Sequence, residues 1–350
     1  MDQFNVYKDM KARTNGEIYI GVVGPVRTGK STFIKRFMNL MVLPNIEDEN
    51  DRNRANDELP QSSSGKTIMT TEPKFVPNEA VSIKTEEGIE LNVRLIDCVG
   101  YMVEGATGHM EGEEERLVKT PWFDYEIPFT KAAAIGTKKV ITEHSTIGVV
   151  VTCDGSFGEI AAKQYEPAEE ETIKQLKALK KPFVVLLNTI HPYSESTKQL
   201  AAEKEEKYQT KVLPMNLEQM KKEDIYEIIK SVLMEFPISS IGFYVPRWTE
   251  MLKKDHPLKM ELLQMARDVI TEKTTMRDIY EEQEKEYEYI TGQKLESVAM
   301  DSGEVVITVK VGDVYYYEFL SETTGMEIRN EYEFIKIMGE LAKKKKEYEE

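Results

Sequence analysis

The sequence is short of several things, and each shortage excludes a class of protein. No hydrophobic run in the 350 residues approaches the ~20 that a membrane-spanning helix needs. The N-terminus has no apolar signal core. Cysteine occurs only at Cys98 and Cys153, without a C-x-x-C spacing, which suits a reducing compartment. Both are expected as buried thiols at strand ends rather than as a disulfide. The four histidines, His109, His144, His191 and His256, show no metal-ligand spacing. Positive charge is also in deficit. Lys and Arg number 46 against 62 Asp and Glu, a net charge of -16. That argues against the basic face of a nucleic-acid binder and against adhesion to anionic lipid. No internal repeat is found. The expectation is a cytosolic protein with no nucleic-acid partner and no transmembrane segment.

What is present reads as globular. Hydrophobic residues make up 40% and charged residues 31%, ordinary for a folded protein. The length predicts two domains, with room for an unfinished third.

The chain is organised around Gly24-Pro25-Val26-Arg27-Thr28-Gly29-Lys30-Ser31, which fits G-x-x-x-x-G-K-[ST]. Ile18 to Val23 before it is an apolar run reading as a buried strand, and Thr32 to Met41 after it reads as a helix. Strand, glycine loop and helix are what phosphate binding requires. Loop N–H groups converge on the anion at the positive end of a helix dipole. Gly24, Pro25, Val26, Arg27, Thr28, Gly29, Lys30, Ser31 and Thr32 are therefore candidate nucleotide contacts. Lys30 would reach the β- and γ-phosphates, and the Ser31 hydroxyl would bind Mg²⁺.

Pro44 to Gly65 is polar and rich in acids, and reads as a long functional loop. It leads to Thr70 and Thr71, the candidates for a threonine that meets Mg²⁺ and the γ-phosphate and supports hydrolysis. Thr71 is also a candidate metal ligand. Phe75 to Thr85 and Ile89 to Ile96 read as two strands, the second ending in Asp97-Cys98-Val99-Gly100. An apolar strand closing in D-x-x-G after a P-loop is the Walker B pattern. Asp97 would hold Mg²⁺ at the strand's C-terminal end, and the Gly100 N–H would approach the γ-phosphate.

Met102 to Pro128 reads as an irregular second switch or insertion. Its Trp122, Phe123 and Tyr125 are assigned to the protein's own core in preference to a partner surface. Helices are predicted over Phe129 to Glu143, Glu166 to Lys180, Glu195 to Tyr208 and Lys222 to Phe236. Strands are predicted over Thr146 to Cys153, Pro182 to Asn188 and Lys211 to Met215. Such alternation predicts a doubly wound, mostly parallel α/β sheet, a GTPase-like (TRAFAC-type) P-loop NTPase domain over residues 1–237. A smaller α+β middle domain is expected over 238–350. Within it, Trp248 to Met265 reads as helical with an interruption at Pro257, and Ala266 to Tyr289 is densely charged. Val305 to Val311 and Val314 to Leu320 read as a hairpin about Gly312-Asp313, and Glu331 to Glu350 as a helix.

Two absences inside the motifs bear on chemistry. GTPases of this class place N-K-x-D after the strand that ends here at Asn188. Asn188 is kept as a binding candidate, but Thr189 replaces the Lys and His191 the Asp that reads guanine. The base is therefore expected to be adenine. Tyr101 stands where many GTPases carry a water-orienting Gln. Hydrolysis would then fall to Thr70 or Thr71. Two roles are open to Arg27. One is a built-in arginine finger; the other, preferred, is an outward side chain paired with an acid of the first switch.

The glycine-loop stretch, the segment Asp57-Glu58-Leu59-Pro60-Gln61 through Thr67-Ile68-Met69-Thr70-Thr71-Glu72-Pro73-Lys74-Phe75-Val76-Pro77, and Val99-Gly100-Tyr101 resemble the stage IV sporulation protein A family. These are spore-coat morphogenetic ATPases of endospore-forming bacteria. The resemblance covers the whole chain and is densest over 16–155. It implies ATP with Mg²⁺, Lys30 binding nucleotide, Asp97 as Walker B, and Thr70 with Thr71 as sensor threonines. It implies slow hydrolysis linked to self-polymerisation into the basal coat layer on the forespore outer membrane surface, facing the mother-cell cytosol. The implied partners are a small amphipathic membrane peptide and a coat protein with a peptidoglycan-binding module. The family's C-terminal domain is expected to be missing and the middle domain incomplete. A GTPase switch and a nucleotide-binding scaffold without turnover remain the alternatives.

Overall fold

The computed structural model describes residues 5–60, 72–84, 89–106, 108–111, 114–157, 160–280 and 285–349. The chain divides into two units. One holds Met1–Pro237 with Met300–Ser302, and the other Ile238–Ala299 with Gly303–Glu350.

The first unit begins with α1 (Val6–Arg13), β1 (Glu17–Val23), α2 (Lys30–Phe37) and α3 (Glu49–Asp57). β2 (Lys74–Lys84) and β3 (Glu90–Asp97) follow, then two small ribbons, β4 (Met110–Glu111) with β5 (Glu114–Glu115) and β6 (Leu117–Thr120) with β7 (Phe123–Pro128). α4 (Phe129–Lys139), β8 (Ile147–Cys153), α5 (Ala162–Ala178), β9 (Phe183–Asn188), α6 (Glu195–Tyr208), β10 (Val212–Met215) and α7 (Lys222–Met234) complete it.

The main sheet runs β10-β9-β8-β1-β3-β2, parallel except for the antiparallel edge strand β2. Every residue of β8 and β9 is buried, as strands covered on both faces must be. The chain moves to one side of β1 through β3 and to the other through β8. That reversal marks the C-terminal ends of the strands beside it, β1 among them, as the place where open α/β sheets take ligands.

The structure corrects several expected elements of this unit. Pro44 to Gly65 is not all loop, because Asp48 caps α3 through the Asn50 and Asp51 amides. The helix after the glycine loop starts at Lys30, and from Met38 to Val42 it widens into a π-helical turn. α5 begins at Ala162, where Gln164 bonds back to the Ala161 N–H. The β6–β7 ribbon leaves Trp122 and Phe123 half-buried and Tyr125 61% exposed, so none of the three expected core aromatics is buried.

The second unit contains β11 (Ser240–Tyr244), α8 (Pro257–Glu272), β12 (Ile290–Ala299), β13 (Glu304–Val311), α9 (Asp313–Thr324) and α10 (Glu331–Glu349). Its sheet has the order β11-β13-β12. The expected hairpin about Gly312-Asp313 is wrong. β13 pairs instead with the preceding β12, and Val314 to Leu320 is helical. The run of tyrosines misled the reading, since aromatics favour strands only where a pleated surface receives them. Here Trp248 stacks on Phe319 at 5.6 Å and Tyr315 meets Tyr289 at 4.8 Å, so tertiary contacts hold the segment as a helix.

Candidate nucleotide site

The site grows from the end of β1. Gly29 is the N-cap of α2 with φ +100°, and a Cβ there would lie 2.6 Å from Asn188 Nδ2. Only glycine serves at that position. Asn188, at the end of β9, fastens the loop: its Nδ2 donates to Thr28 O at 3.0 Å, and its Oδ1 accepts from Leu217 N at 3.2 Å. Its amide therefore works on loop backbone. Thr28 is buried, its hydroxyl donating to Pro25 O at 3.1 Å. Val26 is buried against Cys153 and Tyr165.

Lys30 is 5% exposed and donates to Pro25 O at 2.5 Å and Gly24 O at 3.4 Å. Burial pushes its ammonium below the usual lysine range, against the pull of Cys98 and Asp97. Ser31 follows on the first turn of α2, and its Oγ donates to Asp97 Oδ2 at 2.9 Å. Burial pushes the Asp97 carboxyl upward, while Lys30 and the Ser31 hydroxyl draw it back. Asp97 Oδ1 is buried and has no hydrogen-bond partner among the described residues. Thr32 is half-buried on the same turn.

Beyond Asp97, the D-x-x-G segment closes on the glycine loop. Val26 N donates to Tyr101 O at 3.0 Å and Tyr101 N to Gly24 O at 3.3 Å. Gly100, at φ +92°, has no room for a side chain. A Cβ would lie 2.1 Å from Gly24 O and 2.6 Å from Lys30 Nζ. Cys98 lies beneath, its thiol donating to Val22 O and pushed up to about 11 by burial. The sequence noted Tyr101 only as a missing Gln. It is the backbone on either side of this residue that ties the second switch segment to the loop, and nothing in residue type signals that.

Arg27 is exposed at φ +61°. It lies near enough to Tyr165 to draw down a phenol that burial pushes up to about 12. Thr70 and Thr71 lie outside the described residues. In the base-reading segment, Thr189 is fully buried with its N–H on Met215 O at 3.0 Å. The Thr189 hydroxyl accepts from His191 N at 3.1 Å, and the His191 side chain is exposed. Thr189 thus cannot lie on a base plane as lysine does. Both cysteines are buried and free, at strand ends as expected. Among the described residues no helix is long and apolar enough to cross a membrane.

Strand, glycine loop, helix and the Ser31–Asp97 pair define a P-loop NTPase-type domain. Its family follows from two matches. Residues 1–237 match the model of the Stage IV sporulation protein A ATPase domain, and residues 238–350 that of the same family's middle domain. The chain therefore belongs to the Stage IV sporulation protein A family. It is 45% identical to Stage IV sporulation protein A of Bacillus anthracis over 352 residues, covering 100% of this chain and 72% of that protein. It is 47% identical to the protein of that name in Clostridioides difficile (strain 630), over 99% of this chain and 71% of the relative. With the Bacillus subtilis (strain 168) protein, also so named, it shares 44% over 100% of this chain and 72% of the relative. The family places it among sporulation-related proteins carrying an ATPase domain.

Proposed function

We propose that the protein binds and slowly hydrolyses ATP, and that this cycle drives its self-assembly into the basal layer of a spore coat on the forespore surface. The observation that carries the nucleotide part is the orphaned Asp97 Oδ1 beside the Ser31–Asp97 bond. A buried carboxylate oxygen without a partner fits a hard divalent cation, so the donor set suits Mg²⁺. Ser31, Asp97 and Thr71 would hold it, and the ion would offset charge on the bridging and terminal phosphate oxygens. Lys30 would exchange its two carbonyl contacts for phosphate oxygens, and the Gly100 N–H would lie against the terminal phosphate. Thr70 or Thr71 would position the attacking water, because Tyr101 offers no amide. Arg27, exposed, is assigned the outward role.

The base is adenine in this reading, since His191 supplies no carboxylate for guanine. By the family relationship, coat proteins and a membrane-bound peptide are the partners, and the setting is the mother-cell face of the forespore membrane. Ordering of both switch segments by nucleotide would link turnover to association.

The test is phosphate release with ATP and GTP on the wild type and on the Thr70→Ala/Thr71→Ala double variant. Pelleting is followed alongside, with ATP and with a non-hydrolysable analogue. Turnover and pelleting are expected with ATP only, and both lost in the double variant although it binds ATP. Equal pelleting in every arm would favour a scaffold without turnover.

A further inference from the structure

We propose that β11 is a homotypic edge, through which two copies of this chain pair antiparallel about a twofold axis centred on Gly242. β11 is the outer strand of its sheet and has β13 as its one neighbour there. Among the described residues, Ile241 to Tyr244 make no backbone hydrogen bond outside that pairing. No residue of the strand is buried; Ser240 and Gly242 are exposed, and Tyr244 is 65% exposed.

The composition of this edge sets it apart. Residues 238–245, Ile-Ser-Ser-Ile-Gly-Phe-Tyr-Val, carry no charge and no proline, and are bounded by Pro237 and Pro246. Edge strands are ordinarily guarded by charge, proline or a bulge within the strand. The opposite edge of the same sheet is guarded in this way. β12 has two irregularities in its register and carries Lys294 and Glu296, paired at 3.8 Å. β11 has none of these within its length.

An uncharged strand selects an uncharged partner, because a charge brought onto this edge would lose water and find no counter-ion. A twofold axis supplies such a partner from the same sequence. With Gly242 opposite the partner's Gly242, Ile241 faces the partner's Phe243 and Ser240 faces the partner's Tyr244. The aliphatic–aromatic pair then occurs twice on one face, a favourable cross-strand combination. At the centre, a Cβ built on Gly242 meets no atom nearer than 3.8 Å, so the position accepts a probe side chain. Five paired residues bury less than the ~1,200 Å² of a stable complex, so this contact alone is weak and reversible. The contact names a partner for the self-association proposed above without involving the nucleotide site, so the two readings fail separately.

Sedimentation equilibrium of the full chain without nucleotide tests it. The wild type is expected as a monomer–dimer mixture. Gly242→Asp and Gly242→Lys, each placing like charges face to face, should raise the dissociation constant at least about tenfold. An equimolar mixture of the two should dimerise again, which also rules out misfolding as the cause. Gly242→Cys should give a disulfide dimer under mild oxidation, since opposed strand residues lie within disulfide reach and both native cysteines are buried. Lys294→Cys on the guarded edge should not. A wild type monomeric at ~100 µM would overturn the proposal. So would charge variants that dimerise like the wild type, a mixture that stays monomeric, or equal cross-linking at Lys294→Cys. Phosphate release measured on Gly242→Asp should match the wild type. Absence of release from the wild type would count against the nucleotide reading alone.

Discussion

Ser31 Oγ donates to Asp97 Oδ2 across 2.9 Å, joining the first turn of α2 to the end of β3 over a separation of 66 residues. The bond brings a hydroxyl and a carboxylate together beside the glycine loop, with the second carboxylate oxygen buried and without a partner among the described residues. Asp97→Asn keeps the size and the Ser31 contact but removes the negative charge. It should weaken the Mg²⁺ dependence of nucleotide binding at least about tenfold, or about 1.4 kcal/mol. Calorimetric titration of ATP with and without Mg²⁺ reads this, and an unchanged Mg²⁺ dependence would remove Asp97 from the ion's ligands.

Lys30→Ala should abolish turnover and most ATP affinity while the unit stays folded. Among the described residues the Lys30 ammonium bonds two carbonyl oxygens, at Pro25 and Gly24, contacts weaker than a charge-assisted bond to phosphate. Calorimetry and circular dichroism together decide it. Wild-type affinity in a folded variant would defeat the assignment.

Gly100→Ala addresses the closure of the D-x-x-G segment. The methyl group would collide with Gly24 O, at a backbone angle that costs a non-glycine residue roughly 1–3 kcal/mol. The expected result is a melting temperature lowered by several degrees and loss of hydrolysis, with ADP binding better retained than ATP binding. Wild-type turnover would show that the segment does not approach the terminal phosphate.

His191→Asp should move base preference towards GTP. A carboxylate there can accept from the guanine N1–H and N2–H, each of which costs roughly 1–3 kcal/mol when buried without an acceptor. Competition of GTP against labelled ATP should improve by about tenfold or more. The change is expected to be incomplete, because the buried Thr189 leaves the base plane uncovered. No change in competition would mean that this segment does not read the base.

A buried pair joins α5 to α6. Glu169 on α5 accepts from Lys204 Nζ at 2.6 Å and from the Thr152 hydroxyl of β8, with the Glu169 side chain 1% exposed. Lys204→Met strands a buried carboxylate and should cost roughly 3–5 kcal/mol, whereas replacing both partners with apolar residues should cost much less. Denaturant unfolding of Lys204→Met and of Lys204→Met with Glu169→Leu gives the comparison. Equal losses in the two would show that packing, not the unpaired charge, dominates.

The sequence by itself determined the motifs of the candidate site and the main sheet. The glycine loop, D-x-x-G and the continuous apolar runs of β8 and β9 are local patterns. Each residue type there is forced by backbone geometry or by two-sided burial, so its meaning survives without neighbours. Only the tertiary structure decided where the Asn188 amide is used, how Tyr101 clasps the loop, and that Val314 to Leu320 is a helix. Those outcomes depend on residues distant in sequence: Thr28 and Leu217 for Asn188, Gly24 and Val26 for Tyr101, and Trp248 with Tyr289 for the tyrosine run. The open edge at β11 has the same origin. An uncharged stretch between two prolines is written in the chain, but that it forms the outer strand of a sheet follows from β13 pairing with β12 on its other side.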